Sequence, residues 1–264
     1  MSELFAFSLA GNRILVTGAN TGIGQGIAVS VARAGGAVIG VGRSAMDETA
    51  EKIAAIGGQF ETVAADLGDS AAAAVMLDRI WDEKGPLDGL VNNAGIIRRA
   101  DAVDLTEADW DEVMDINLKT VFRLCQSFAR RVLAEPGRRG KIVNIGSVLS
   151  FQGGIRVASY TASKHGVLGL TRLLACEWAA KGINVNGIAP GVVDTPMWDQ
   201  VDALFARYEN LPIGEKKRQV GLAVPAGRMG DPDDYRGAAV FLASSEADYV
   251  VAQTLNVDGG NWMS

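Results

Sequence analysis

Histidine occurs once in this sequence, at His165, and cysteine twice, at Cys125 and Cys176. The histidine stands beside Lys164 with no ligand partner near it in the chain, so no metal centre is expected. Two cysteines far apart, each inside a helical pattern, do not make a disulfide framework. They read as buried free thiols, which fits a reducing cytoplasm. No apolar stretch reaches the ~20 residues of a membrane span before Gly, Asn or Pro interrupts it. Met1–Leu9 carries Glu3 and no basic residue, unlike a secretory leader. Positive charge is in deficit, with a formal net charge of −6, which argues against a nucleic-acid partner whose phosphates demand a basic face. Linkers, low-complexity tracts and repeats are absent as well, so residues 1–264 are expected to form a single domain, with neither membrane nor nucleic acid as partner.

What the chain does have is alternation. Short apolar runs at Arg13–Thr17, Ala37–Val41, Phe60–Ala64, Gly89–Val91, Lys141–Ile145, Ile183–Ile188 and Gln253–Val257 read as strands covered on both faces. Between them Gly22–Ala34, Met46–Ile56, Ser70–Lys84, Glu107–Leu133, Ser159–Lys181 and Pro232–Ala243 carry helical spacing. Glu107–Leu133 is long enough for two helices or one with a bend. Such alternation predicts an α/β fold of the Rossmann type, a doubly wound parallel sheet of about seven strands flanked by helices, with chemistry in the loops after the strands.

The first strand runs into Thr17-Gly18-Ala19-Asn20-Thr21-Gly22-Ile23-Gly24 and a helix follows at once. Glycines there let the backbone approach a pyrophosphate, and the N–H groups of a helix start face the anion, so this turn reads as a dinucleotide cradle. Its spacing, Gly-x-x-x-Gly-x-Gly, differs from the commoner Gly-x-Gly-x-x-Gly. An acid at the end of the second strand would bind the ribose hydroxyl of NAD. The strand ends instead in Arg43-Ser44, a guanidinium and a hydroxyl suited to a 2′-phosphate, so NADP(H) is favoured over NAD(H). A solvated loop arginine is the plain alternative, and Thr21 adds no second basic group.

Tyr160 and Lys164 lie four apart in a helical pattern and therefore share a face. An ammonium near a phenol stabilises phenolate and makes a proton donor and acceptor usable near neutral pH. Such a pair is common and means little alone. Here Ser147 follows the strand Lys141–Ile145, Asn92-Asn93-Ala94-Gly95 follows the strand ending at Val91, and Asn117 sits inside a long helical stretch that its amide could bend.

Taken together, Thr17–Gly24, Asn92–Gly95, Asn117, Ser147, Tyr160 with Lys164, and Pro190-Gly191 resemble the short-chain dehydrogenase/reductase family in content, order and spacing over nearly the whole chain. The resemblance implies an NAD(P)(H)-dependent oxidoreductase that moves a hydride between nicotinamide and a secondary alcohol or its ketone. Carried over residue by residue, it makes Tyr160 the acid/base and Ser147 the holder of the substrate oxygen. Lys164 binds the nicotinamide ribose and lowers the tyrosine pKa, and Asn117 anchors a water in the proton path. The cofactor contacts comprise Gly18, Asn20, Thr21, Gly22, Ile23 and Gly24, then Arg43 and Ser44. Asp66 and Leu67 border the adenine, unless Asp66 caps the next helix, a task open to Asp69 and Ser70 too. Asn93, Ala94 and Gly95 back the adenosine ribose, and Pro190, Gly191, Val193 and Thr195 meet the carboxamide. The family generally forms homotetramers.

Within the family, Asn92–Arg99, Ser150–Lys164 and the C-terminal Phe241–Val250 and Val257–Gly260 resemble the gluconate 5-dehydrogenase, 2-deoxygluconate 3-dehydrogenase and 2-dehydro-3-deoxygluconate 5-dehydrogenase branch. A sugar acid asks for a cation and amide donors. Arg98, Arg99, Gln152 and Arg156 flank the catalytic positions, and Arg156 or Arg98 is expected to hold the carboxylate; solvent or subunit contacts are the alternative for these arginines. The substrate loop falls at 192–225, where Pro196, Met197, Trp198, Leu204, Phe205 and Tyr208 form either an apolar lid or an ordinary amphipathic helix. Glu215-Lys216-Lys217-Arg218 reads as a solvated charge run. A 3-oxoacyl thioester or general ketone reductase, and more distantly a non-catalytic dinucleotide sensor, are the competing functions.

Overall fold

Seven strands form one all-parallel sheet in the order β3-β2-β1-β4-β5-β6-β7. They are β1 (Arg13–Thr17), β2 (Ala37–Gly42), β3 (Phe60–Ala64), β4 (Gly89–Asn92), β5 (Gly140–Ile145), β6 (Ile183–Pro190) and β7 (Thr254–Val257) in a computed structural model that describes residues 7–263. The chain winds outward from β1 to β3, returns to place β4 on the other side of β1, and continues outward to β7. The reversal between β1 and β4 opens a crevice at the carboxyl ends of these strands, where open α/β sheets bind ligands.

Helices cover both faces. On one side lie α1 (Gly22–Arg33), α2 (Asp47–Ala54) and α9 (Arg236–Ala243); on the other lie α3 (Ser70–Lys84), α5 (Thr120–Ala134) and α6 (Ala158–Trp178). The strands serve two cores at once. In β1, Ile14 and Val16 pack with Ile27 of α1 and Ala239 of α9, whereas Leu15 points the opposite way to Leu77 of α3 and Leu124 of α5. That is why these strands are apolar at successive positions and do not alternate.

Bounds of the elements read from the sequence match to within three residues, except that α9 begins four residues later than read. The stretch 107–133 resolves into α4 (Glu107–Met114) and α5 joined without a break by a π-helical turn, Asp115–Lys119. Asn117 sits in that turn, and such wide turns concentrate at functional sites. Pro232–Tyr235 forms a 3-10 turn before α9, capped by Asp231.

Two expectations are corrected. Cys125 is buried, and its thiol is pushed up to about 12 by burial, but Cys176 is exposed. On α6, Thr171, Leu174, Ala175 and Trp178 face the sheet and Cys176 lies on the outer side. The charged segment 215–218 is not simply solvated. Within 192–225 the chain builds α7 (Pro196–Glu209) and α8 (Glu215–Ala223). Lys216 bonds Glu209 at 2.7 Å, and Lys217 bonds Asp194 at 2.6 Å and Asp199 at 2.5 Å. Asp202 of α7, only 2% exposed, accepts from the backbone N–H groups of Gly214 at 2.6 Å and Lys217 at 2.9 Å. Opposite charges thus pin α8 to α7. Among the described residues no helix is long and apolar enough to cross a membrane.

Leu90, fully buried in β4 at the centre of the sheet, gives a direct measure of this packing. Leu90→Ala removes transfer free energy and leaves a cavity between rigid neighbours, an expected loss of about 2–5 kcal/mol. Urea unfolding should show the midpoint falling while the slope with denaturant stays constant.

Candidate active site

The crevice holds a cavity of about 510 Å³ assembled from the ends of β1, β2, β3, β4, β5 and β6 and the start of α7. Its first wall is the glycine turn. Gly18 and Gly22 have φ of +66° and +56°, a region that side chains resist. A Cβ on Gly24 would lie 2.1 Å from the Gly18 carbonyl oxygen and 2.4 Å from Asn93 Nδ2, so only glycine lets α1 start this close to β1 and β4. Asn93 ties the two strand ends together: its Nδ2 donates to the Thr17 and Gly18 carbonyl oxygens at 2.9 and 3.3 Å. In return Thr17 Oγ1 accepts from the N–H groups of Asn93 at 2.9 Å and Ala94 at 3.0 Å. Thr21 precedes α1 in an extended conformation and makes no side-chain cap, which leaves first-turn N–H groups available to an anion.

Arg43 and Ser44 line the cavity beyond β2, both exposed. Among the described residues no acid pairs with Arg43. Asp66 and Leu67 line it beyond β3. Asp66 accepts from Gly68 N at 2.9 Å, while Asp69 caps α3 by accepting from Ala71 and Ala72, each at 3.0 Å. The alternative reading of Asp66 as the helix cap is thereby removed. Ala94, Gly95, Pro190, Gly191, Val193 and Thr195 complete this half of the cavity. The donor set fits a dinucleotide: a glycine cradle with free N–H groups, a cation and hydroxyl beyond β2, and a carboxylate beyond β3.

Ser147, Gln152, Tyr160 and Lys164 line the other half. Ser147 caps the 3-10 turn Val148–Ser150, its Oγ accepting from Leu149 N at 3.2 Å, while its own N–H is held by Ser150 Oγ at 3.2 Å. Tyr160 and Lys164 are one turn apart on α6, with Lys164 Nζ 5.6 Å from the tyrosine ring centre. Lys164 is buried and donates to the Ile145 carbonyl oxygen at 2.7 Å; burial holds its pKa down at about 8. Burial raises the Tyr160 phenol, and the counterpulls come from the Ser147 hydroxyl and the Arg99 guanidinium.

Asn117 stands behind the cavity wall and does not line it. Its Oδ1 accepts from Ile96 N at 2.9 Å, and its Nδ2 donates to the Ile96 carbonyl oxygen at 2.8 Å and to Ser163 Oγ at 3.3 Å. The side chain therefore clamps the Ile96 peptide to α6.

Arg98 and Arg156, expected to hold a carboxylate, are not brought to the cavity. Arg98 pairs with Glu112 of α4 at 2.6 Å and with Asp109 at 3.4 Å. Arg156, with φ of +64°, pairs with Asp101 at 2.9 Å and stacks 5.5 Å over Tyr208. Acids one turn apart on α4 draw Arg98 away, and the next residue, Arg99, turns inward. Arg99 lines the cavity, as do Met197 and Trp198 of α7 and Asn261 from the C-terminal tail. The pair of acids at 109 and 112 is the sequence signal that separates Arg98 from Arg99. Nothing local marks Asn261.

A family model described as short chain dehydrogenase matches residues 12–204. The chain belongs to the short-chain dehydrogenase/reductase family. Members are NAD(P)-dependent oxidoreductases acting on CH–OH groups, and this chain is one of them. It is 48% identical over 261 residues to the 2-dehydro-3-deoxy-D-gluconate 5-dehydrogenase of Dickeya dadantii (strain 3937), covering 99% of each chain. It is 45% identical over 256 residues to the sorbitol dehydrogenase of Cereibacter sphaeroides, covering 97% of this chain and 99% of the relative. A solved structure from Agrobacterium tumefaciens, described as a candidate 2-deoxy-D-gluconate 3-dehydrogenase with bound NADP, is 55% identical. It matches with a TM-score of 0.85 over 96% of this chain and 97% of that one.

The cradle can be tested by one methyl group. Gly24→Ala should push α1 away from Gly18 and Asn93 and weaken NADPH binding by roughly tenfold or more, since the lost close approach removes charge-assisted bonds worth ~1.5–3 kcal/mol each. NADPH fluorescence titration reads the effect, and circular dichroism checks that the sheet survives.

Proposed function

We propose that this oxidoreductase interconverts a secondary hydroxyl of a sugar acid and the corresponding ketone, with NADP(H) used in preference to NAD(H). The observation that carries the reading is the meeting, in one cavity, of the dinucleotide cradle with Ser147, Tyr160 and Lys164. Gln152 offers an amide to substrate hydroxyls in the same space. The names of the Dickeya and Agrobacterium relatives support a sugar acid, and the NADP bound to the latter supports the cofactor preference. The Cereibacter relative favours a second reading, a neutral polyol.

In the oxidative direction Tyr160, as phenolate, takes the hydroxyl proton of the substrate while Ser147 donates to the oxygen and fixes its place. In the reductive direction Tyr160 returns that proton as negative charge gathers on the carbonyl oxygen. Lys164 holds the ribose side of the cofactor site and, through its bond to Ile145, keeps its position against β5. Asn117 keeps the Ile96 segment and α6 at fixed separation; a water in the proton path would meet the main chain of the π turn, as the amide is already engaged. The nicotinamide, when bound, supplies or accepts the hydride. Met197 and Trp198 of α7 present apolar groups to the same cavity.

We further infer a homotetramer in the cytoplasm. The apolar groove between the π turn and α6, lined by Met114, Leu118, Phe122, Gly166, Gly169 and Leu170, supports subunit packing.

Tyr160→Phe should lower kcat by roughly 1,000-fold, the usual worth of a positioned acid/base, while NADPH affinity stays within a few-fold. A steady-state screen of aldonic and ketodeoxy acids measures it, and full activity of the variant defeats the reading. Arg43→Asp places a carboxylate where a 2′-phosphate is expected. Its kcat/KM for NADP should fall by at least about tenfold relative to NAD, measured with one substrate and both cofactors.

A further inference from the structure

Three arginines follow or flank the catalytic loops, and their surroundings divide them. Arg98 and Arg156 have carboxylate partners outside the cavity. Arg99 faces into it, partly buried, with its guanidinium 5.8 Å over the Phe205 ring of α7. Its Nε is buried without a hydrogen-bond partner, and among the described residues no acid pairs with it. An N–H fork left unanswered in a half-buried setting is costly, and a planar carboxylate is the group whose geometry completes it.

We propose that Arg99 receives the carboxylate of the substrate, and that this one guanidinium transmits the substrate's charge to the Tyr160 hydroxyl in the same cavity. The inference rests on the sugar-acid reading above and adds to it a specificity-determining residue that also sets the acidity of the proton-transfer group. With no anion bound, Arg99 pulls the phenol down against the effect of burial. A carboxylate on Arg99 cancels that pull, and the phenol then loses its proton only at higher pH.

The other charges near Tyr160 do not behave this way. Lys164, on the next turn of α6, donates to Ile145. Lys216 of α8 lies 4.6 Å from the Phe205 ring centre and is bound by Glu209. Arg156 is bound by Asp101 under Tyr208. Arg43, likewise without an acid partner among the described residues, lies beyond β2 in the cofactor half of the cavity, so in the catalytic half Arg99 is the cation whose charge environment can change when substrate arrives.

The test compares the best aldonic acid substrate with the polyol in which CH2OH replaces its carboxylate, at saturating NADP and across pH. For alcohol oxidation, the rising limb of kcat/KM reports the phenol before substrate binds, and that of kcat reports it in the complex. With the acid, the kcat limb should lie at higher pH than the kcat/KM limb; with the polyol the two should coincide. Arg99→Met should reduce the preference for acid over polyol by roughly 100-fold, the loss expected when one partner of a buried charge pair is removed, and the separation of limbs should vanish. Arg99→Lys, which keeps the charge but not the fork, should retain the separation with a raised KM. NADPH titration of both variants confirms an intact fold. Coincident limbs with the acid in the unaltered enzyme, or an undiminished acid preference in Arg99→Met, overturn the inference and leave the sugar-acid reading standing. Failure of the unaltered enzyme to oxidise any sugar acid overturns that reading itself.

Discussion

Thr17 and Asn93 hold together the two strand ends between which the sheet changes its winding direction, and the rest of the cleft depends on that crossing. Parallel neighbours at a switch point send their chains to opposite faces, so nothing in the sheet ladder itself keeps the loops beyond them in register. Here Asn93 donates to the carbonyl oxygens of Thr17 and Gly18, and Thr17 Oγ1 accepts from the next two amides of the β4 loop. The glycine at position 24 is required because that junction has no room for a methyl group. With the junction set, α1 aims its first-turn N–H groups into the crevice, and Gly95 and Ile96 are carried to within reach of Asn117.

Burial shapes the chemistry of the second half of the cleft. It raises the Tyr160 phenol and lowers the Lys164 ammonium, each toward its neutral form. Two groups of nearly equal acidity in water are thus moved apart, the phenol held in its protonated form and the ammonium made the readier of the two to release a proton. The cost of placing them there is offset by fixed partners, the Ile145 carbonyl oxygen for Lys164 and the Ser147 hydroxyl for Tyr160. The π turn around Asn117 adds a clamp between the β4 loop and α6, so the positions of the acidic groups are set by hydrogen bonds and not by packing alone.

The fold was readable because its signals are local and repeated. Strands buried on both faces, such as β1 with Leu15 toward one core and Ile14 and Val16 toward the other, leave apolar runs that need no tertiary knowledge to recognise. The glycine turn and the Tyr160–Lys164 spacing are readable for the same reason, since each motif's geometry is contained in a few consecutive residues. What escaped depends on distant partners. Arg98, Arg99 and Arg156 are alike in sequence, and which of them faces the cavity is decided by Asp109, Glu112 and Asp101 on other segments. The same holds for Lys216 and Lys217, whose partners Glu209 and Asp199 lie on α7, and for Cys176, whose exposure follows from which stripe of α6 meets the sheet.

The carboxylate of Asp202 has a mechanical side. Because both its oxygens are taken by amides at the start of α8, α7 and α8 cannot pivot about the intervening turn without stranding a charge away from water. The two helices therefore form a single stiff lever, with Met197 and Trp198 at its inner tip and the Lys217 ion pairs near its fulcrum. A push at the tip is felt along the whole lever, and the segments that can yield are the short stretches on either side of it, next to Asp194 and Val224.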